Sequence, residues 1–439
     1  MTKAEVTLWG VTIGAVTWNK DQEIGEFQYA SNFAQANVEP APIMMPVGKQ
    51  VYSFPGMGKE AFKGLPGMLA DSLPDKFGNL LIEKWLTEQG RSIADFNPVE
   101  RLCYIGTRGM GALEFVPART FGRSTDRALD IEKLTNLASK VLIERTSISG
   151  KLTGKDDEEA LRDILRVGTS AGGARAKAVL LWNEGTGEFR SGQVAKAPEG
   201  FTHWLLKFDG VSANRDKELA DPQGFGRLEY ASYLLARDAG IVMNECRLYE
   251  EGGRAHFMTK RFDRDKSGGK IHMQSLGAIR HYDLNMPGHY SYEQAIETAK
   301  RLKLPLKDIE QQVRRALFNV VIRNQDDHVK NVAYLMDKTG KWRLSPAYDV
   351  VYSHNPTGEW TNAHQMTLNG KRDHFTMEDF YTLGRFAEIR ENALRDMLEE
   401  IIEKTRNWLT IYCAKAAVPD TLAKRAFDGF RLSFPEKSR

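Results

Sequence analysis

The stretch from Arg315 to Val350, RALFNVVIRNQDDHVKNVAYLMDKTGKWRLSPAYDV, gathers the residue types that phosphoryl transfer needs. One carboxylate must accept the proton of an attacking hydroxyl, and hard oxygen ligands must hold magnesium against the phosphates. Asp326 is followed five residues later by Asn331 and, beyond a hairpin, by Asp349. That is the order of base, metal amide and metal carboxylate used by kinases. His328 can orient the loop or touch phosphate. Asp327 is a rival base, and the sequence does not separate the two. The plain alternative is a solvated loop after a helix, because D-x-x-x-x-N recurs by chance.

Two further segments could hold a nucleotide. VGTSAGGARAKAVLLWN (167–183) begins apolar, turns through Ser170 to Ala174 and returns as a strand. Its glycines would let backbone N–H groups approach phosphate oxygens. No Lys-Ser/Thr pair closes the loop, so it is not a Walker A motif, and a plain turn is the competing reading. HWLLKFDG (203–210) alternates, with Trp204, Leu206 and Phe208 on one face and His203, Leu205 and Lys207 on the other. A half-buried lysine needs neutralising partners. A nucleotide phosphate and Glu229, on the helical segment RLEYASYLLARDAG, would supply them; an edge-strand lysine in solvent would need neither.

The elements that must position these groups are legible in outline. Leu317, Val320 and Val321 continue a helical stripe that stops at Arg323–Asn324. Strands over 332–336 and 341–345, joined by Asp337–Gly340, would bring Asn331 and Asp349 to one end of a ribbon, with Val332 facing Ser345. Upstream, 6–18 reads as a hairpin continued by FQYA. The Pro- and Gly-rich run that follows cannot be one regular element. FGNLLIEKWLTE (77–88) has helical spacing, and RLCYIGTRGMGALEFVP (101–117) gives a strand after a glycine turn. ALDIEKLTNLASKVLIERT is helical, glycine turns and strands continue to about Arg264, and beyond Tyr292 helices take over around a single hairpin.

Bulk composition excludes several classes. Hydrophobic residues make up 41% and charged residues 27% of 439 residues, an ordinary globular balance with room for two or three domains. The net charge of +3 argues neither for nor against nucleic acid. Cys103, Cys246 and Cys413 form no CxxC pair, and the nine histidines show no zinc-type spacing, so a disulfide framework and a zinc site are not expected. With no signal-peptide pattern and no long apolar run, the chain reads as cytoplasmic. Trp182, Trp204, Trp342 and Trp360 read as core or lid residues, and the basic C-terminus as a solvated tail or helix.

Taken together, the motifs resemble the HipA family of toxin kinases over nearly the whole chain. NQDDHVKN (324–331) with SPAYDV (345–350) is similar to the family's catalytic and metal segments, and TSAGGARAKAVL (169–180) to its glycine-rich loop. HWLLKF resembles its ATP-binding lysine strand, FMTKRFDR (257–264) the strand linking its lobes, and ADSLPDKFGNLLI its Leu-Pro-Asp helix entry. The resemblance implies an α+β, protein-kinase-like fold: a β-rich N-terminal subdomain (1–118), an ATP-binding lobe (119–264) and a helical catalytic lobe (265–439). It implies ATP and Mg2+ as cofactors, Asp326 as base, and Asn331 and Asp349 as metal ligands. Nucleotide contacts would come from Gly172, Gly173, Ala174, Arg175, Ala176, Lys177, Lys207, Lys260, Arg261, Phe262, His328, Val329, Lys330, Asn331, Tyr348 and Asp349, with Glu229 in support. Ser170 would be autophosphorylated, with Thr169 beside it as the alternative. Lys260 stands where an acidic residue is expected, and Asp327 where a glycine is.

The resemblance further implies a serine/threonine-protein kinase toxin of a toxin–antitoxin pair. Its partners would be a HipB-like DNA-binding antitoxin and a protein substrate such as an aminoacyl-tRNA synthetase, with DNA contact only through the antitoxin complex and no membrane. Two rivals remain. A small-molecule kinase of aminoglycoside or choline type shares the D-x-x-x-x-N logic but needs a closed acidic acceptor pocket. A non-catalytic co-repressor subunit would have no chemical need for all of Asp326, Asn331, Asp349 and Lys207.

Overall fold

A computed structural model describes the whole chain except residues 1, 34–36, 75, 89, 93, 95, 120–127, 145–162, 166–167, 169–174, 193–196, 212–222 and 437–439. Strands β1 (Lys3–Leu8) and β2 (Val11–Asn19) form the expected hairpin, closed by Trp9 and Gly10, both at positive φ, as a two-residue turn requires. β3 (Ile24–Tyr29), β4 (Val51–Tyr52) and β5 (Leu113–Val116) complete an antiparallel sheet in the order β4-β3-β2-β1-β5. Its apolar face packs on the short helices Lys59–Phe62 and Gly67–Ala70 and on the helix Pro98–Ile105. The last of these was not expected. Asn97 caps it by accepting a bond from the Glu100 N–H at 3.0 Å.

A second antiparallel sheet contains β6 (Lys177–Trp182), β7 (Phe189–Ser191), β8 (Thr202–Lys207), β9 (Cys246–Glu251) and β10 (Arg254–Lys260), in the order β7-β6-β8-β10-β9. Lys207 therefore lies on the central strand, which removes the edge-strand reading. Trp204, Leu206 and Phe208 enter a core shared with the helices Lys76–Glu88 and Ile131–Glu144. The first of those helices comes from the N-terminal third of the chain yet packs behind the second sheet. On the other face, the helix Phe225–Asp238 approaches β10 so closely that a Cβ on Gly226 would sit 2.0 Å from the Ala255 carbonyl oxygen.

The remaining core surrounds the helix Leu306–Ile322, which ends as the apolar stripe predicts, with Arg323 in a left-handed conformation. Two differences from expectation follow it. The hairpin of β12 (Ala333–Met336) and β13 (Trp342–Leu344) is joined by a third strand, β11 (His272–Ser275). Its register is also one residue off: the Ser345 N–H donates to the Ala333 carbonyl at 2.9 Å and Tyr334 pairs with Leu344, so Val332 does not face Ser345. The cause is the turn. Asp337 pairs with Lys341 around a three-residue loop in which Gly340 takes φ 81°, a conformation glycine reaches without steric cost.

Candidate active site

The site forms where the second sheet meets the helical lobe. Lys207 and Lys177 are cross-strand partners on β8 and β6, with Phe257 of β10 beside Lys207. Lys207 Nζ donates to Glu229 Oε1 at 2.5 Å and also to Asp349 Oδ1, so one buried ammonium bridges two carboxylates from different elements. Arg175 Nη1 reaches the other Glu229 oxygen at 3.4 Å. Burial works against the Lys207 charge, but Asp349 and Glu229 more than offset it and hold the ammonium above the ordinary lysine range. Asp349 is the reciprocal case. Burial opposes its charge, yet Lys207 and Lys177 keep its carboxyl well below the usual range. Its backbone takes φ 53°, a left-handed conformation that aspartate tolerates better than most residues.

The loop after the helix Leu306–Ile322 separates the two candidate bases. Asp327 is 1% exposed and fully engaged: Tyr292 donates to Oδ2 at 2.5 Å, His364 Nδ1 lies 2.8 Å from the same oxygen, and the Gln365 N–H donates to Oδ1 at 2.7 Å. No reactant can reach it, so it anchors the loop. The Asp326 side chain is 32% exposed and accepts from Trp360 Nε1 at 2.7 Å. Its backbone N–H donates to Ser353 Oγ at 3.1 Å, and its carbonyl accepts from Asn331 Nδ2 at 2.7 Å. The amide oxygen of Asn331 is thereby left for a cation. Asn324 Nδ2 donates to the Asp349 carbonyl at 3.3 Å, tying the loop to the third acidic position. Magnesium takes oxygen ligands and prefers few from the protein, so the Asn331 amide oxygen and the Asp349 carboxylate fit it. Among the described residues no cluster of three or more His, Cys, Asp or Glu could hold a metal.

The other expected contacts are placed as follows. The Tyr348 hydroxyl donates to the Lys330 carbonyl at 2.6 Å, and its ring lies 5.4 Å from that of Phe262. Val329 is buried and its carbonyl accepts from Gly277 N at 3.0 Å. His328 Nε2 lies 3.9 Å from Asp326 Oδ1, beyond hydrogen-bond reach. Lys260 pairs with Glu245 at 3.3 Å, and its backbone N–H donates to the Glu245 carbonyl. The Arg261 guanidinium is turned away: it forms two bonds to Asp263, at 2.9 and 2.7 Å, and one to the Gly109 carbonyl. Ala176 is buried and Arg175 partly so, whereas Thr169, Ser170, Gly172, Gly173 and Ala174 lie outside the described residues. Sequence reasoning missed Trp360, Ser353, Tyr292, His364 and Gln365 as supports of the loop. Their spacing carries no signal, because they come from three separate segments.

Fold and site together define a two-lobed α+β protein with a lysine–carboxylate centre between sheet and helical lobe. The HipA N-terminal domain profile matches residues 4–116, and the HipA-like C-terminal domain profile matches 169–409, more than half of the chain. The chain belongs to the HipA family. The fold is similar to that of HipA in the Shewanella oneidensis MR-1 complex of HipA, HipB and operator DNA, with TM-score 0.65 and 16% identity over 97% of this chain and 94% of that one. Among curated proteins it is similar to "Putative kinase Y4dM" of Sinorhizobium fredii, at 27% identity over 40% of this chain and 46% of the relative. A Haemophilus influenzae protein named "Putative kinase" is 23% identical over 42% of this chain and 62% of its own length. The chain thus spans less than two thirds of the length of either curated relative. Among the described residues, no helix is long and apolar enough to cross a membrane.

Proposed function

We propose that this protein is an ATP- and magnesium-dependent kinase that transfers the γ-phosphate to a serine or threonine hydroxyl of a protein. The observation that carries the reading is the buried Lys207 ammonium bridging Glu229 and Asp349 beside the Asp326 loop. A lysine held charged between a helix carboxylate and a metal-type carboxylate is what phosphate positioning needs. Asp326 accepts the hydroxyl proton, Lys207 contacts the α- and β-phosphates, and Asn331 and Asp349 would hold the metal that neutralises the transferring group. Lys260 to Phe262, His328 to Asn331 and Tyr348 would line the nucleotide pocket, with Arg261 contributing backbone only because its guanidinium is engaged by Asp263. Ser170, or Thr169 beside it, is the proposed autophosphorylation site. Family membership and the kinase names of the relatives support this reading, and the HipB-bound neighbour supports a HipB-like antitoxin as partner. By the family's chemistry an aminoacyl-tRNA synthetase is the proposed target.

Intact-mass analysis of phosphatase-treated protein with ATP and magnesium tests the reading. Wild type should gain one phosphate, whereas Asp326→Asn and Lys207→Ala should gain none in the time that wild type takes to complete the reaction, leaving only a slow residual transfer. Peptide mapping then decides between Ser170 and Thr169. A wild type that neither binds nucleotide by calorimetry nor incorporates phosphate would overturn the assignment.

A further inference from the structure

We propose that Trp360 is a positioning residue for Asp326: its indole N–H pins one carboxylate oxygen, Oδ1, and so orients the other, Oδ2, for the acceptor hydroxyl. This rests on the reading of Asp326 as the base. Indole N–H is a donor with no acceptor function, so the lone pair of Oδ1 that faces it is occupied and takes no proton. The rest of Asp326 is also held, at its backbone N–H by Ser353 and at its carbonyl by Asn331. Oδ2 is therefore the one atom of this residue to which the described structure assigns no bond. His328 is too far to replace the indole, at 3.9 Å from Oδ1.

Trp360 is itself fixed to the loop it serves. Gln365 donates through Nε2 to the Trp360 carbonyl and, at 3.4 Å, to the Gln325 carbonyl, while its backbone N–H donates to Asp327 Oδ1. Asn355 N donates to the Thr361 carbonyl at 3.1 Å and closes the segment behind the indole. The tryptophan, the base and its acidic neighbour thus form one hydrogen-bonded circuit, and a base oriented this way meets an acceptor hydroxyl along one direction. Nothing in the spacing of the sequence announces this contact.

The test compares single-turnover phosphate transfer by phosphatase-treated wild type, Trp360→Phe, Asp326→Asn and the double variant, with thermal melts as the folding control. Phenylalanine keeps a ring and loses the donor. The expected result is turnover lower by roughly ten- to hundredfold, the scale of a slightly misplaced catalytic group, with KM for ATP unchanged. In the Asp326→Asn background, removing the donor should cost nothing further, a non-additivity that a purely structural residue would not produce. Benzothienylalanine at 360, matched in shape but without the N–H, supplies the same readout should phenylalanine fail to pack. Active wild type with undiminished or faster transfer in the variants overturns the positioning role and leaves the kinase reading standing, as do additive losses in the double variant. Inactive wild type removes both.

Discussion

Asp326 and Asp327 are the same residue type at adjacent positions, and their surroundings are opposite. Three donors converge on Asp327, which is closed to solvent, whereas the Asp326 side chain is partly exposed and accepts from Trp360. Truncating the buried carboxylate strands the Tyr292 hydroxyl, the His364 ring and the Gln365 N–H. Asp327→Ala should therefore lose about 2–4 kcal/mol of stability in denaturant titrations, the cost of leaving buried donors unpaired. Asp326→Ala, at a half-open position, should melt within a few degrees of wild type while losing transfer. Equal stability of both variants would mean that Asp327 is not the anchor. The sequence shows two carboxylates in a row and is silent on this division, because burial is decided by segments 35 to 38 residues away.

At the scale of elements, the helix Phe225–Asp238 and strand β8 present Glu229 and Lys207 to each other because the helix lies almost on the backbone of β10. Gly226 makes that approach possible. A methyl group there would sit 2.0 Å from the Ala255 carbonyl, a backbone atom that cannot rotate away. Gly226→Ala should cost about 3 kcal/mol by overpacking and weaken nucleotide binding by displacing Glu229. Gly56→Ala, at a position where a Cβ would meet nothing within 4 Å, is the matched control and should be neutral in a thermal melt. The alternation of β8 was readable from HWLLKF. The helix Pro98–Ile105 had its signal too, an Asn-Pro start with Glu100 at the third position, but the glycines downstream drew the reading toward a strand.

Over the whole molecule, the first sheet is latched to the second through Asp263. This buried carboxylate takes bonds from Arg261, Arg264 and the Gly111 N–H, and the two guanidiniums hold it far below the usual range against the cost of burial. Asp263→Ala leaves two guanidiniums buried without their carboxylate. It should cost on the order of 3–5 kcal/mol and expose the junction to limited proteolysis; an unchanged melting temperature and cleavage pattern would refute the latch. Histidines give the molecule a second global property. His203, His256, His272 and His281 are each pushed down to about 4 by burial. Their folded-state values lie below the unfolded value near 6.5, so the unfolded chain binds more protons between those limits. Stability should be full above pH 6.5 and fall progressively toward pH 4. A melting temperature flat from pH 6.5 to 5 would show that these rings are not buried neutral.

By itself the sequence determined which residues could do chemistry and on what elements they ride. Asp326, Asn331 and Asp349 flank a readable helix and hairpin, and Lys207 alternates on a readable strand. These are local properties, set by periodicity, turn chemistry and side-chain type. Tertiary structure decided what periodicity does not encode: the strand order that makes β8 central, the extra strand β11, the one-residue register around Gly340 and the burial of each aspartate. It also decided that Arg261 serves Asp263 and that an indole from a distant loop meets Asp326. Each of these depends on which remote atoms fill the last hydrogen-bond positions of a buried group, and those atoms are brought there by packing rather than by their place along the chain.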